Sequence, residues 1–173
     1  MIVLMAGLPG TGKSTIARAF AERNGARVLD KDAIRAAVIP EAELKYSTQQ
    51  DDQVMQWMLD ECECYLRAQP SQIFLLDGRP FSKTYQVDAV VNQAIAINTP
   101  WRIVECVCPE PLALQRIEAD VAARKHVARN RDAELYRKIK ANFQPIHRPK
   151  LVIDTSSSLT SCIQQMERYL AAQ

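Results

Sequence analysis

The chain opens with a five-residue apolar run, residues 2–6, and passes at once into GLPGTGKST, residues 7–15. This junction constrains the fold more than any other stretch. A short, unbroken apolar run reads as a strand buried on both faces. Three glycines, a proline and a lysine straight after it exceed what a plain turn requires. Gly10 and Gly12 let the backbone bend so that consecutive N–H groups face inward, an arrangement that cradles phosphate oxygens. A helix opening near Lys13 adds its positive N-terminal end to the same spot.

Residues 7–14 fit the pattern G-x-x-x-x-G-K-[ST], with the strand before it and the helix after it that the pattern needs. Lys13 is placed to reach β- and γ-phosphates. The Ser14 hydroxyl is placed to bind Mg²⁺ and that of Thr15 to bond an inner phosphate. The expected contacts to the nucleotide are therefore Gly10, Thr11, Gly12, Lys13, Ser14 and Thr15. The chain has no Asn-Lys-x-Asp, a guanine-selecting signature; NRDA at 130–133 lacks the lysine. ATP is the expected nucleotide.

The rest of the chain alternates short apolar runs with longer helical periods. Strands are expected over 2–6, 27–29, 73–76, 102–108 and 151–153. Helices are expected over 13–23, 32–38, 47–68, 82–97, 109–123, 132–143 and 159–171. In the longest of these, Val54, Met55, Met58, Leu59, Cys62, Tyr65 and Leu66 recur at spacings of three and four. Ser47 with Gln50 suggests a capping box at its start, and Pro70 ends it. Strands alternating with helices predict a parallel sheet covered on both faces, a three-layer α/β sandwich. The expected strand order is 2-3-1-4-5, in a single domain spanning residues 1–173.

In such a sheet, ligands sit beyond the carboxyl ends of the strands. Three acidic positions fall there. Asp77 ends IFLLD and would orient Mg²⁺ beside the phosphate loop. Asp30 and Asp32 lie in LDKDAIR, at the junction of the second strand and its helix. One of them would cap that helix; Asp32 is the expected general base, and Arg35 would hold the acceptor or offset transition-state charge. Residues 110–150 carry ten Lys or Arg against five Asp or Glu, whereas residues 51–63 are acidic. The basic segment reads as a lid over about 118–131, closing on the triphosphate with Arg116 and Arg124. His126 and His147 read as surface residues.

The net charge of +2 gives no general case for nucleic acid, and 47% hydrophobic with 24% charged residues indicates a globular chain. No stretch approaches the roughly 18 apolar residues of a membrane span. The five cysteines, in two C-x-C pairs and Cys162, read as reduced thiols and not as zinc knuckles, which points to a cytoplasmic protein.

The chain resembles the small P-loop kinases of the zeta toxin-like or predicted kinase group. Those are similar to the kinase domain of polynucleotide 5′-hydroxyl kinase and to chloramphenicol phosphotransferase. The resemblance covers nearly the whole chain. It rests on GLPGTGKST, LDKDAIR, FLLDGRPF, VECVCPEPLALQRI, ELYRKIKANFQPI and KLVIDTS. It implies transfer of the γ-phosphate of ATP to a hydroxyl, with Asp32 as base, Arg35 beside it, and Arg116 and Arg124 from the lid. Arg79 departs from the group, where a small residue is common; it would contact an anionic substrate or clamp phosphate. The acceptor site would lie between Asp32, Arg35, Asp77, Arg79 and the helix beginning at Ser47. A metabolite or antibiotic is the first expectation for the acceptor. A polynucleotide end is the second, although the basic segment has no interleaved aromatics for stacking. A nucleotide-binding regulatory module without phosphotransfer is the reading from another class, and it has no need of a base at Asp32. A monomer or a homodimer is expected.

Overall fold

A computed structural model describes residues 1–122 and 132–172. Five strands form one parallel sheet in the order β2-β3-β1-β4-β5. They are β1 (Ile2–Ala6), β2 (Arg27–Asp30), β3 (Phe74–Asp77), β4 (Trp101–Val107) and β5 (Leu151–Asp154). Seven helices accompany them among the described residues: α1 (Lys13–Asn24), α2 (Lys31–Val38), α3 (Thr48–Ala68), α4 (Thr84–Ala96), α5 (Glu110–Ala122), α6 (Ala133–Ala141) and α7 (Leu159–Ala171). A short 3₁₀ turn (Glu41–Glu43) links α2 to α3. The expected order and layers are those observed.

The period of the strands explains the three layers. In β1, Ile2, Leu4 and Ala6 pack into one core with Val54, Met58 and Leu59 of α3 and Val87, Val90 and Val91 of α4. Val3 and Met5 pack into a second core with Ile16 and Phe20 of α1 and Ile163 and Met166 of α7. Successive side chains point to opposite faces, so all five residues of β1 are buried. A third, smaller cluster of Ala113, Ile117 and Tyr136 ties α5 to α6 beside Leu8 of the glycine loop. The expected segment 118–131 begins in α5; its residues 123–131, Arg124 and His126 among them, lie outside the described residues.

Ser47 caps α3 by accepting from the Gln50 N–H at 3.2 Å. The reciprocal half of the expected capping box is absent: Gln50 Oε1 accepts instead from the N–H groups of Lys45 and Tyr46. The Gln50 side chain thus pins the link between α2 and α3, where Tyr46 adopts a left-handed φ of 46°. All five cysteines are free thiols, and burial pushes those of Cys62 and Cys106 up to about 12. No helix among the described residues is long and apolar enough to cross a membrane.

Candidate active site

The glycine loop leaves β1 at the centre of the sheet. Gly7 has φ 129°, and a Cβ there would stand 2.2 Å from the Cys106 carbonyl of β4. Gly10 has φ 75°, and a Cβ there would stand 2.4 Å from the Ala113 carbonyl of α5. Only glycine allows the loop to lie this close to its neighbours at these angles. Gly12, also left-handed, is the N-cap of α1 and supplies no side-chain acceptor to the first-turn N–H groups, and that turn holds no acidic residue. The positive end of a twelve-residue helix is therefore open to an anion. Lys13 is buried, and its Nζ donates to the Leu8 carbonyl at 2.7 Å, folding the ammonium back over the loop. The Thr11 hydroxyl donates to the same carbonyl at 2.7 Å and so braces the loop from within.

One side of the loop opens into a cavity of about 420 Å³ lined by the first turn of α1, by α5 and by the segment after β5. Ser14 and Thr15 line it from α1. Arg116 lines it from α5, and its position is braced. Its Nη1 donates to Thr155 Oγ1 at 2.9 Å and its Nη2 to the Thr155 carbonyl at 2.8 Å. Thr155 Oγ1 in turn donates to the Thr11 carbonyl at 2.9 Å. Thr155 was not among the sequence candidates. Its only signal was a polar residue just past the carboxyl end of β5, within KLVIDTS.

Asp77, at the end of β3, is 1% exposed, and neither carboxylate oxygen has a hydrogen-bond partner among the described residues. It therefore does not brace the DGRP turn. An ionised carboxylate buried in this way requires a cation or donors. A buried carboxylate of this kind fits a divalent cation of the oxygen-binding class.

On the other side of the loop lies a second cavity of about 150 Å³. Asp30 is the N-cap of α2, accepting from the N–H groups of Asp32 and Ala33 at 3.0 and 3.3 Å. That leaves Asp32 without a capping role and buried against the cavity, paired with Arg35 at 3.1 Å and Lys31 at 3.4 Å. Arg35 is also paired with Asp51 of α3, and its guanidinium lies 5.2 Å from the Tyr46 ring centroid. Arg79, beyond β3, is held by Asp52 of α3 at 2.5 Å and by the Tyr85 hydroxyl. The helix beginning at Ser47 thus borders this cavity through Asp51, a residue that sequence reasoning did not single out. Lys31 was missed too, although it stands inside LDKDAIR. Burial lowers its pKa to about 8; Asp32 opposes that shift, and Arg35 and Arg79 add to it. Lys13 lines both cavities.

This chain belongs to the AAA domain family, whose model matches residues 2–146. No curated protein sequence matches it. Its fold is that of solved P-loop kinases. The structure of an APS kinase from Mycobacterium tuberculosis in complex with AMPPNP and APS superposes with a TM-score of 0.72. It is 19% identical, over 99% of this chain and 97% of that one. A gluconokinase from Sinorhizobium meliloti 1021 gives 0.68 at 13% identity, over 99% and 97%. Kti12 from Chaetomium thermophilum, in complex with ADP-AlF3, gives 0.68 at 11% identity, over 99% and 100%.

Proposed function

We propose that the chain is an ATP-dependent kinase that transfers the γ-phosphate to a hydroxyl of a small molecule. The observation that carries this reading is Lys13, which lines both the cavity beside the phosphate loop and the cavity that holds Asp32. ATP occupies the larger cavity, with its triphosphate over the loop and the N-terminus of α1. The acceptor occupies the smaller one. Its hydroxyl oxygen bonds to the γ-phosphorus as the bond to the ADP oxygen breaks, and its proton passes to Asp32. Lys31 and Arg35 hold the Asp32 carboxylate in place for this. Lys13 stays with the transferred group and offsets its charge. Ser14 and Asp77 are the residues that would hold Mg²⁺, and the ion neutralises triphosphate charge when bound. Arg116 completes the site over the nucleotide, and the expected lid residue Arg124 lies outside the described residues.

At about 150 Å³ the second cavity suits a small acceptor better than a polynucleotide end. A regulatory module that only binds nucleotide has no use for a buried Asp32 and Arg35 there. The kinase neighbours by fold support the same choice. The test is an ATP-consumption screen over hydroxylated metabolites, antibiotics and 5′-hydroxyl oligonucleotides, with Asp32→Asn as the control. An acceptor-dependent signal that Asp32→Asn abolishes is expected. ATP binding with no acceptor-dependent turnover across the screen would move the chain to the regulatory reading.

A further inference from the structure

The cavity beside Asp32 holds more positive charge than a base and a hydroxyl require. Lys31, Arg35 and Arg79 reach into it, and each is 5% exposed or less. Buried guanidinium groups without anions are strongly disfavoured, so the fold has to neutralise them. It does so partly from α3, whose Asp51 and Asp52 stand at 26% and 42% side-chain exposure. The cations are therefore buried in the site, while two of their carboxylate partners, Asp51 in the cavity lining and Asp52 behind Arg79, stand within reach of water. The match is also incomplete. Arg79 donates from Nη2 to Asp52 and Tyr85, but its buried Nε has no acceptor among the described residues. The buried Nε of Arg35 has none either. A guanidinium binds an oxyanion best through two parallel N–H groups, and one carboxylate oxygen at the rim fills only part of that fork.

Resting on the kinase reading of this cavity, we propose that the acceptor carries an anionic group, a carboxylate or phosphate, in addition to its hydroxyl. Arg79 and Arg35 receive that group through the N–H donors left unfilled, and Asp52 and Asp51 withdraw towards solvent as it enters. The incoming anion replaces each carboxylate as the counter-ion of a buried guanidinium, and the released carboxylates return to water. A neutral polyol leaves both Nε groups without an acceptor, so the site discriminates against it. Asp51 and Asp52 are thus placeholders that keep the empty site neutral, and Asp32 stays behind as the base. The link that carries α3 to the rim is the one in which Gln50 pins Tyr46.

The experiment uses the whole chain with AMPPNP and Mg²⁺ saturating the phosphate loop, so that a second anion reports only on the other cavity. Inorganic phosphate is titrated by calorimetry. Arg79→Gln is expected to weaken its binding at least tenfold, Arg79→Lys by less, and Asp52→Asn to tighten it several-fold. Thermal melting of each variant confirms the fold. Phosphate affinity indifferent to Arg79→Gln and Arg79→Lys would overturn the oxyanion site. Affinity unchanged in Asp52→Asn would overturn the exchange. Turnover is then compared in matched pairs: gluconate against glucose, glycerate against glycerol, a nucleoside 3′-phosphate against the nucleoside. The anionic member is expected to lead by at least tenfold in kcat/KM, and Arg79→Gln to erase the lead. Turnover of neutral members alone would sink this inference and leave the kinase reading standing. Arg79-dependent phosphate binding with no turnover of any pair would keep the oxyanion site and count against the kinase reading.

Discussion

Asp77→Asn separates a functional carboxylate from a structural one. The native side chain is 1% exposed, with both oxygens lacking a donor. A buried polar group left unsatisfied costs about 1–3 kcal/mol, and more when charged. Asn keeps the shape and removes the charge but brings an amide that also wants partners, so the net gain should be about 2 kcal/mol. In a domain of this size each 1 kcal/mol moves the melting temperature by roughly 2–4 °C. The variant without nucleotide should therefore melt roughly 4–8 °C above the native protein. With Mg²⁺ and ATP that lead should shrink. A ligand at a hundred times its dissociation constant adds about 2.7 kcal/mol to the native protein, and most of the Mg²⁺-dependent part of that should vanish in the variant. The assay is scanning calorimetry of both proteins in four conditions: bare, Mg²⁺ alone, ATP with chelator, and both together. A variant that melts lower than the native protein when bare would show that Asp77 holds the fold together. Equal increments from Mg²⁺ with ATP in both proteins would remove Asp77 from the metal site. Either result refutes the reasoning.

Lys13→Ala should reduce phosphotransfer by orders of magnitude while circular dichroism shows the fold retained; near-normal turnover would end the kinase reading. Asp32→Asn should cut turnover at least about a hundredfold with ATP affinity retained, and it should also destabilise, since Asp32 is paired with buried Arg35 and Lys31 and does not cap α2. Asp30→Ala, which removes the cap, should instead cost about 1 kcal/mol of stability and leave turnover largely intact; comparable turnover losses in the two would return Asp30 to contention as the base. Lys31 has Asp32 and Arg35 on its own helix, Asp51 on α3 and Arg79 beyond β3 around it, and its pKa falls from 10.5 to about 8. Between those values the unfolded chain holds a proton that the folded one has released, so stability should rise with pH across this window, by on the order of 3 kcal/mol. Melting of native protein and Lys31→Met from pH 7 to 10.5 checks this, and parallel curves would refute it.

The phosphate loop and the sheet were legible because their determinants are local. A strand covered on both faces must be apolar at every position, as Ile2–Ala6 and Phe74–Asp77 nearly are. A loop that presses its backbone against two neighbours must have glycine at Gly7 and Gly10. Such demands leave their mark at single positions, so the strands, the glycine loop and the place of Lys13 at the start of α1 were readable from the chain, whereas the order 2-3-1-4-5 came with the family resemblance. The choice between Asp30 and Asp32 was not readable. Both are acids at the same junction, and the cap falls on Asp30 because the backbone is still extended there, at φ −96° and ψ 111°, one residue before α2 begins. The partners of Arg35, Arg79 and Arg116 were equally hidden. Asp51, Asp52 and Thr155 lie 16 to 39 residues away along the chain. They meet those arginines only because the parallel sheet puts the carboxyl ends of its strands on one side, where the helices that follow pack. That arrangement is a collective product of both hydrophobic cores, and no single position in the sequence encodes it.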